Sequence, residues 1–299
     1  MNRSGIIFAL CAYSWWGFAP IFWKFLKHVP AVETLGHRMV WALAVLIIYQ
    51  TVRKNWGWLH DALRDPRLLF VTAIAAVMLA LNAWLYTWGV NNDKIVDVSL
   101  GYFMNPLFLV LSGFFFYKEE IRPLQWAAIA VAALGVLYLT FVYGQFPLVG
   151  LSLAGAFTLY SVAKKQTTLG TFEGMTLEMG IMFPIFLVYL LTLEQGGGGH
   201  FTSAGWLTTV LLIIGGAVSL TPFLLFSAAA GRIPLFYLGI MQYIGPSISF
   251  LIGIFVYGET VSNSLLIGFC FVWTALIIFS VEGWIQVNRK RARAIVASG

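Results

Sequence analysis

The sequence predicts an all-α integral membrane protein: ten transmembrane helices arranged as two inverted five-helix repeats. Three observations carry that expectation. Of 299 residues, 60% are hydrophobic and only 10% are charged, against roughly a quarter charged in a typical soluble domain. Ten apolar runs approach or exceed the length needed to cross a bilayer, about 20 residues as helix. A stretch of the first half also overlies a stretch of the second half without a gap.

In chain order the runs are 6–23, 34–51, 68–90, 95–117, 124–142, 148–163, 172–193, 204–230, 235–257 and 265–283. The first is too long for the apolar part of a signal peptide, and it is followed by FWKFLK rather than a small-residue cleavage site. It is therefore a span. The connections are mostly short, so no soluble domain is expected and the activity lies in or across the membrane.

Orientation follows from Lys and Arg in alternate connections. One side collects Arg3, Arg53, Lys54, Arg64, Arg67, Lys118, Arg122, Lys164, Lys165, Arg232, Arg289, Lys290, Arg291 and Arg293. The other holds Lys24, Lys27 and Lys94, and Arg38 belongs to neither. Fourteen against three places both termini in the cytoplasm. The net charge of +6 is thus chiefly a topology signal. The tail NRKRAR reads first as a plain cytoplasmic anchor, with contact to anionic membrane lipids as the second reading, and nucleic-acid binding finds no support. Cys11 and Cys270 fall inside spans as small apolar residues, implying neither disulfide nor metal site.

The internal match sets the architecture. A shift of 140 lays NPLFLVLSGFFFYKEE (105–120) over GPSISFLIGIFVYGET (245–260). Pro106, Leu111, Gly113, Phe115, Tyr117 and Glu119 then meet Pro246, Leu251, Gly253, Phe255, Tyr257 and Glu259. Neighbouring shifts pair the first run with the sixth and the second with the seventh. Residues 1–143 and 144–285 form the two repeats, followed by a basic tail, 286–299. Five spans is an odd number, so the second copy enters the membrane from the opposite side. Inverted repeats let a site near the midplane open to either side through two arrangements of similar energy, which points to a small-molecule solute.

Candidate solute contacts come from matched faces. Tyr102, Asn105, Leu109 and Ser112 recur at helical spacing in the fourth run, and Gln242, Gly245 and Ser249 in the ninth. Pro106 and Pro246 interrupt these stripes, each freeing a carbonyl. Asn82 and Tyr86 lie one turn apart in the third run, and Trp16 and Tyr160 occupy matched positions in the first and sixth. Amide and phenol groups with aromatic walls suit an amphipathic solute. The competing reading is packing, since Asn and Gln also bond neighbouring helices.

Charge concentrates in ETLGHRMVW (33–41), at the start of the second run. Glu33, His37 and Trp41 share one helical face and Arg38 the adjacent one. Arginine at a helix centre costs about 2.5 to 3.5 kcal/mol on insertion scales and less near the edge, so Arg38 as a head-group anchor and Glu33 as a helix-start cap is the plain alternative. The functional reading is a titratable cluster: His37, with a reference pKa near 6.5, suits proton exchange. MTLEMGIMF in the second repeat places Glu178 at a similar depth from the opposite side, so Arg38 and Glu178 would make gating or coupling contacts at the two mouths. Glu119 and Glu259 read as caps of the helices that follow them. The GGGG run at 196–199 reads as a flexible outer loop, and His28, His60 and His200 as loop residues without partners at metal spacing.

LNAWLYTWGVNN (81–92), SLGYFMNPL (99–107), LGIMQYIGP (238–246), the His37–Arg38 pair and PIFWK (20–24) resemble the RarD-type permeases, bacterial members of the drug/metabolite transporter superfamily with two EamA-like repeats. The resemblance spans nearly the whole chain. It implies a ten-helix inner-membrane transporter, and the family name is linked to chloramphenicol sensitivity or resistance. One departure is Ala83 directly after Asn82, with Trp84 next, where the family pattern has tryptophan. The resemblance implies no settled substrate. Export or exchange of a small amphipathic metabolite or drug-like solute, driven by protons through Glu33, His37 and Arg38, is the resulting expectation. The rivals are an intramembrane lipid-modifying enzyme or protease, and a channel or scramblase. Against an enzyme, the chain has no HExxH, no GxSxG and no paired intramembrane aspartates, and it carries no cofactor motif. Oligomeric state is not legible from the sequence.

Overall fold

The computed structural model describes residues 2–92, 95–144, 146–258 and 262–298. Among them every regular element is a helix. The long helices are α1 (Arg3–Trp23), α2 (Ala31–Val52), α4 (Pro66–Asn91), α5 (Ile95–Tyr117), α6 (Pro123–Tyr143), α7 (Leu148–Gln166), α8 (Thr171–Gln195), α9 (Trp206–Ala230) and α12 (Asn263–Ser298). Short α3 (Gly57–Arg64) joins α2 to α4, and α10 (Leu235–Gln242) is followed by α11 (Ile244–Phe255). Local chemistry sets the starts. Asn2 Oδ1 accepts from the Ser4 and Gly5 amides, and Asp65 Oδ1 from Arg67 and Leu68, with Pro66 at the first helical position. Gly144, at φ +66°, ends α6 in the left-handed conformation that glycine adopts without steric cost.

Among the described residues nine segments are long and apolar enough to cross a membrane, counting α10 and α11 as one. The tenth expected span is helical, as α7, but falls outside that set. Gly150, Ser152, Gly155, Thr158 and Ser161 dilute its apolarity, and Lys164 and Lys165 close it. Twelve of its 19 residues are buried, so α7 meets protein rather than lipid and needs less hydropathy. The ninth run is interrupted rather than kinked. Pro246 offers no N–H to the Gln242 carbonyl four residues earlier and its ring crowds that carbonyl, and α10 ends at Gln242. Pro106 leaves α5 continuous. Past the last apolar run the backbone continues as helix, α12 extending through Ser298.

Helices of the proposed repeats meet as antiparallel partners. Along α2 and α8, Gly36 faces Leu190 while Tyr49 stacks on Phe172 at 4.1 Å. Along α5 and α10, Gly113 approaches the Phe236 amide, and Tyr243 donates its hydroxyl to the Phe103 carbonyl at 3.0 Å. Along α6 and α12, Gly135 faces Phe271 and Gln125 Nε2 donates to Glu282 at 3.1 Å. The remaining large contacts also come in exchangeable pairs: α1 on α9 with α4 on α7, α1 on α11 with α5 on α7, and α2 on α9 with α4 on α8. The starts of α1, α4, α8 and α10 mark one end of the bundle, here the near face. The far face holds the α1–α2 and α8–α9 connections.

Candidate functional site

Helix α2 points the charged residues of ETLGHRMVW in two directions. On one face, Glu33 is fully buried and takes both the His200 amide, at 2.6 Å, and His200 Nδ1, at 2.8 Å. One turn on, His37 stacks on Phe201 with centroids 4.8 Å apart, and Trp41 lies on the same ring at 6.0 Å. That face is a dock for the α8–α9 loop. The glycine run is tied down with it, because the Gly196, Gly197 and Gly198 amides bond back to the end of α8. The run expected to be a flexible loop is bonded back to its helix, and His200, in the loop as expected, serves Glu33: a buried carboxylate requires a donor, and His200 supplies two.

Arg38 faces the other way, so the expected three-residue titratable cluster does not form. It sits seven residues into α2, about 10 Å along the axis. Its Nε donates to Ser219 Oγ at 2.6 Å, and its guanidinium carbon lies 4.6 Å from the Trp23 ring centre. Tyr86 and Tyr102 lie within electrostatic reach of it. Their rings meet edge to face at 6.1 Å, and they are 42% and 41% exposed. Arg38 itself is partly exposed. Arg38, Tyr86 and Tyr102 thus bring partly exposed surface from α2, α4 and α5, and hydrocarbon is a poor neighbour for a guanidinium. Gly215 leaves room on α9 for Trp23, and Ser219 follows one turn later. Sequence reasoning missed Trp23 and Ser219; the small-residue run GGAVS was the available signal.

Glu178 sits seven residues into α8, as deep from the near face as Arg38 is from the far face. There the resemblance ends. Glu178 Oε1 is hydrogen-bonded to Lys164 Nζ, with both side chains almost wholly buried at 2% and 1% exposure. Lys164 is therefore part of a buried pair rather than a loop charge. The near end is closed further by Glu119, which accepts from Lys165 Nζ at 2.7 Å and from the Leu235 and Phe236 amides at 2.9 Å each. Glu119 thus caps a helix, but α10 rather than the helix that follows it. Its counterpart Glu259 lies outside the described residues. The adjoining tyrosines keep the two-fold relation: Lys165 lies over the Tyr117 ring at 4.6 Å and Lys24 over the Tyr257 ring at 3.1 Å. Glu119→Ala removes two capped amides and an ion partner. We expect it to destabilise the purified protein by about 2 kcal/mol, read as a lower midpoint in thermal unfolding, with Glu119→Gln intermediate.

The remaining candidates divide between packing and unmet polarity. Asn82 Nδ2 donates to the Leu153 carbonyl at 3.0 Å, bridging α4 to α7. Ser112 and Ser249 donate to the Leu109 and Gly17 carbonyls. Tyr160 is fully buried, its hydroxyl 3.9 Å from Met175 Sδ, so it has no surface to offer a solute in this conformation. Trp16 packs between Tyr13, Phe157, Phe223 and Phe226. Among the described residues, Asn105 Oδ1 and Gln242 Oε1 are buried without a donor. Both flank the α5–α10 crossing, where Gly239 faces the Pro106 carbonyl. No group of three His, Cys, Asp or Glu residues able to hold a metal occurs among the described residues.

Comparison with known proteins gives one pattern. Residues 3–141 match the EamA-like transporter family. Protein RarD of Streptomyces exfoliatus is 38% identical over 99% of this chain and 94% of its own. Protein RarD of Escherichia coli strain K12 is 35% identical over 98% of each chain. A protein crystal structure superposes with TM-score 0.69 at 18% identity, covering 93% of this chain and 98% of the other; it shares the fold.

Proposed function

The chain belongs to the RarD-type permeases of the drug/metabolite transporter superfamily, and from this premise we propose that it works by alternating access, as an exporter or exchanger of a small amphipathic solute. That it is a multi-pass membrane transporter follows from its family and its apolar helices. The observation that carries the mechanism is an asymmetry within a paired framework. Equivalent helices pack antiparallel, yet Arg38 is partly exposed while Glu178, at the corresponding depth, is buried against Lys164. A second state follows by exchanging the two arrangements, opening the Lys164–Glu178 end and closing the Arg38 end. The basic residues of the near face put that end in the cytoplasm of a bacterial inner membrane, with both termini inside. The described conformation is then the outward-open one. Gln242 and Asn105, unsatisfied at the α10–α11 interruption, are proposed solute contacts, with Tyr86 and Tyr102 above them.

Counterflow in liposomes tests this reading. Wild-type protein is expected to show saturable, trans-stimulated uptake of at least one member of a panel of amino acids, other metabolites and amphenicols. Running it with and without a pH gradient reads the proposed proton coupling. Conductance without saturation or counterflow would sink alternating access in favour of a channel.

A further inference from the structure

Arg38 is a membrane-embedded cation with no carboxylate against it. Among the described residues it takes part in no ion pair. Its Nε bonds to the neutral Ser219 and its guanidinium carbon lies over the Trp23 ring, with Tyr86 and Tyr102 in the same neighbourhood. The deep charge at the near mouth, Glu178, is hydrogen-bonded to Lys164. Charges inside membrane proteins are ordinarily paired or hydrogen-bonded: Glu178 meets Lys164 and, on the other face of α2, Glu33 meets His200, whereas no carboxylate among the described residues meets Arg38. Arg38 is also partly exposed, as are Tyr86 and Tyr102.

We propose that Arg38 is the anion site for the transported solute, and that this solute is an organic monocarboxylate with a flat apolar body. The inference rests on the transport reading above and names its substrate class. The two terminal nitrogens of Arg38 have no acceptor within the described protein, and their fork matches the two oxygens of a carboxylate. The Tyr86 and Tyr102 hydroxyls are donors for the outer lone pairs. Trp23, Tyr86 and Tyr102 supply aromatic walls for the body. One guanidinium neutralises one negative charge, so a dianion such as a phosphate monoester would bring an uncompensated charge into the Arg38 site.

The test uses acid and amide pairs of equal shape: phenylacetate with phenylacetamide, and indole-3-acetate with indole-3-acetamide, titrated calorimetrically into the full-length protein in nanodiscs. The acids are expected to bind wild type at least about tenfold more tightly than the amides. Arg38→Gln should weaken the acids by at least about tenfold and leave the amides unchanged, with Arg38→Lys between. Amides binding as tightly as acids, acid binding retained by Arg38→Gln, or no acid binding to wild type each overturn the proposal. If Arg38→Gln does not elute as folded protein, the acid–amide difference in wild type and the Arg38→Lys titration decide. Counterflow of neutral solutes alone removes the anion site but leaves transport standing. Acid binding through Arg38 without counterflow of any solute does the reverse.

Discussion

Glu178→Leu and Lys164→Met, made singly, are expected to destabilise the purified protein by about 3–5 kcal/mol each, because each strands its partner as an unpaired buried charge. The double variant is expected to recover most of that loss, since two apolar side chains of similar volume replace a pair whose desolvation cost offsets much of its attraction. The buried position of both side chains is what makes the effect large; an exposed pair is worth about 1 kcal/mol or less. Unfolding midpoints for the wild type, both singles and the double form a complete cycle. Additive single losses would show that the contact carries no coupling energy. The same variants read on function: with the near-end pair replaced by apolar contact, that end has no charge pair to separate when it opens. The double variant should therefore keep counterflow while shifting its balance between the two states.

Gly216→Val is the second large effect, and it acts through backbone. A Cβ at Gly216 would stand 2.5 Å from Trp41 Cβ, 2.6 Å from the Trp41 carbonyl carbon and 2.7 Å from the Ala42 amide. Two of these neighbours are main-chain atoms, so no side-chain rotation relieves the clash and α2 must move away from α9. Overpacking of this kind costs about 1–3 kcal/mol and occasionally more. Arg38 is one turn before Trp41 and its Nε bond to Ser219 bridges the same two helices, so displacement of α2 should also abolish counterflow. Gly155→Ala is the control. Nothing lies within 4 Å of a Cβ there, and relief of the helical glycine penalty predicts a gain of up to about 1 kcal/mol. Counterflow by Gly216→Val at the wild-type rate would detach the α2–α9 approach from the Arg38 site.

How much of the site the sequence revealed depended on where each partner came from. Arg38 and Glu178 stood out because charge inside an apolar run is costly wherever the chain folds. Glu33, His37 and Arg38 also looked like one cluster, because they lie within six positions. Helical geometry sends them to different faces, and only packing showed that one face receives a loop from residue 200 while the other meets Ser219 and Trp23. Tyr160 and Trp16 matched by repeat position, yet neighbouring rings from α9 bury the first completely. Asn82 was legible as a polar group in a span but not as a bridge, because its acceptor is a backbone carbonyl of α7 and carries no sequence mark. The interruption at Gln242 was foreseeable from Pro246; the continuity of α5 through Pro106 was not, since both prolines remove the same bond.

By itself the sequence determined that this is a helical membrane protein, where its spans run and that its halves share a pattern. Those properties rest on hydropathy and periodicity, which act residue by residue along the chain. Tertiary structure alone decided which charges are neutralised and which is left open. Neutralisation depends on contacts such as Lys164 with Glu178, or Arg38 with Ser219, formed between helices whose facing sides no single run specifies. ETLGHRMVW thus contains both a structural dock and a cation that meets no carboxylate among the described residues, and only the rotation of α2 against its neighbours separates the two.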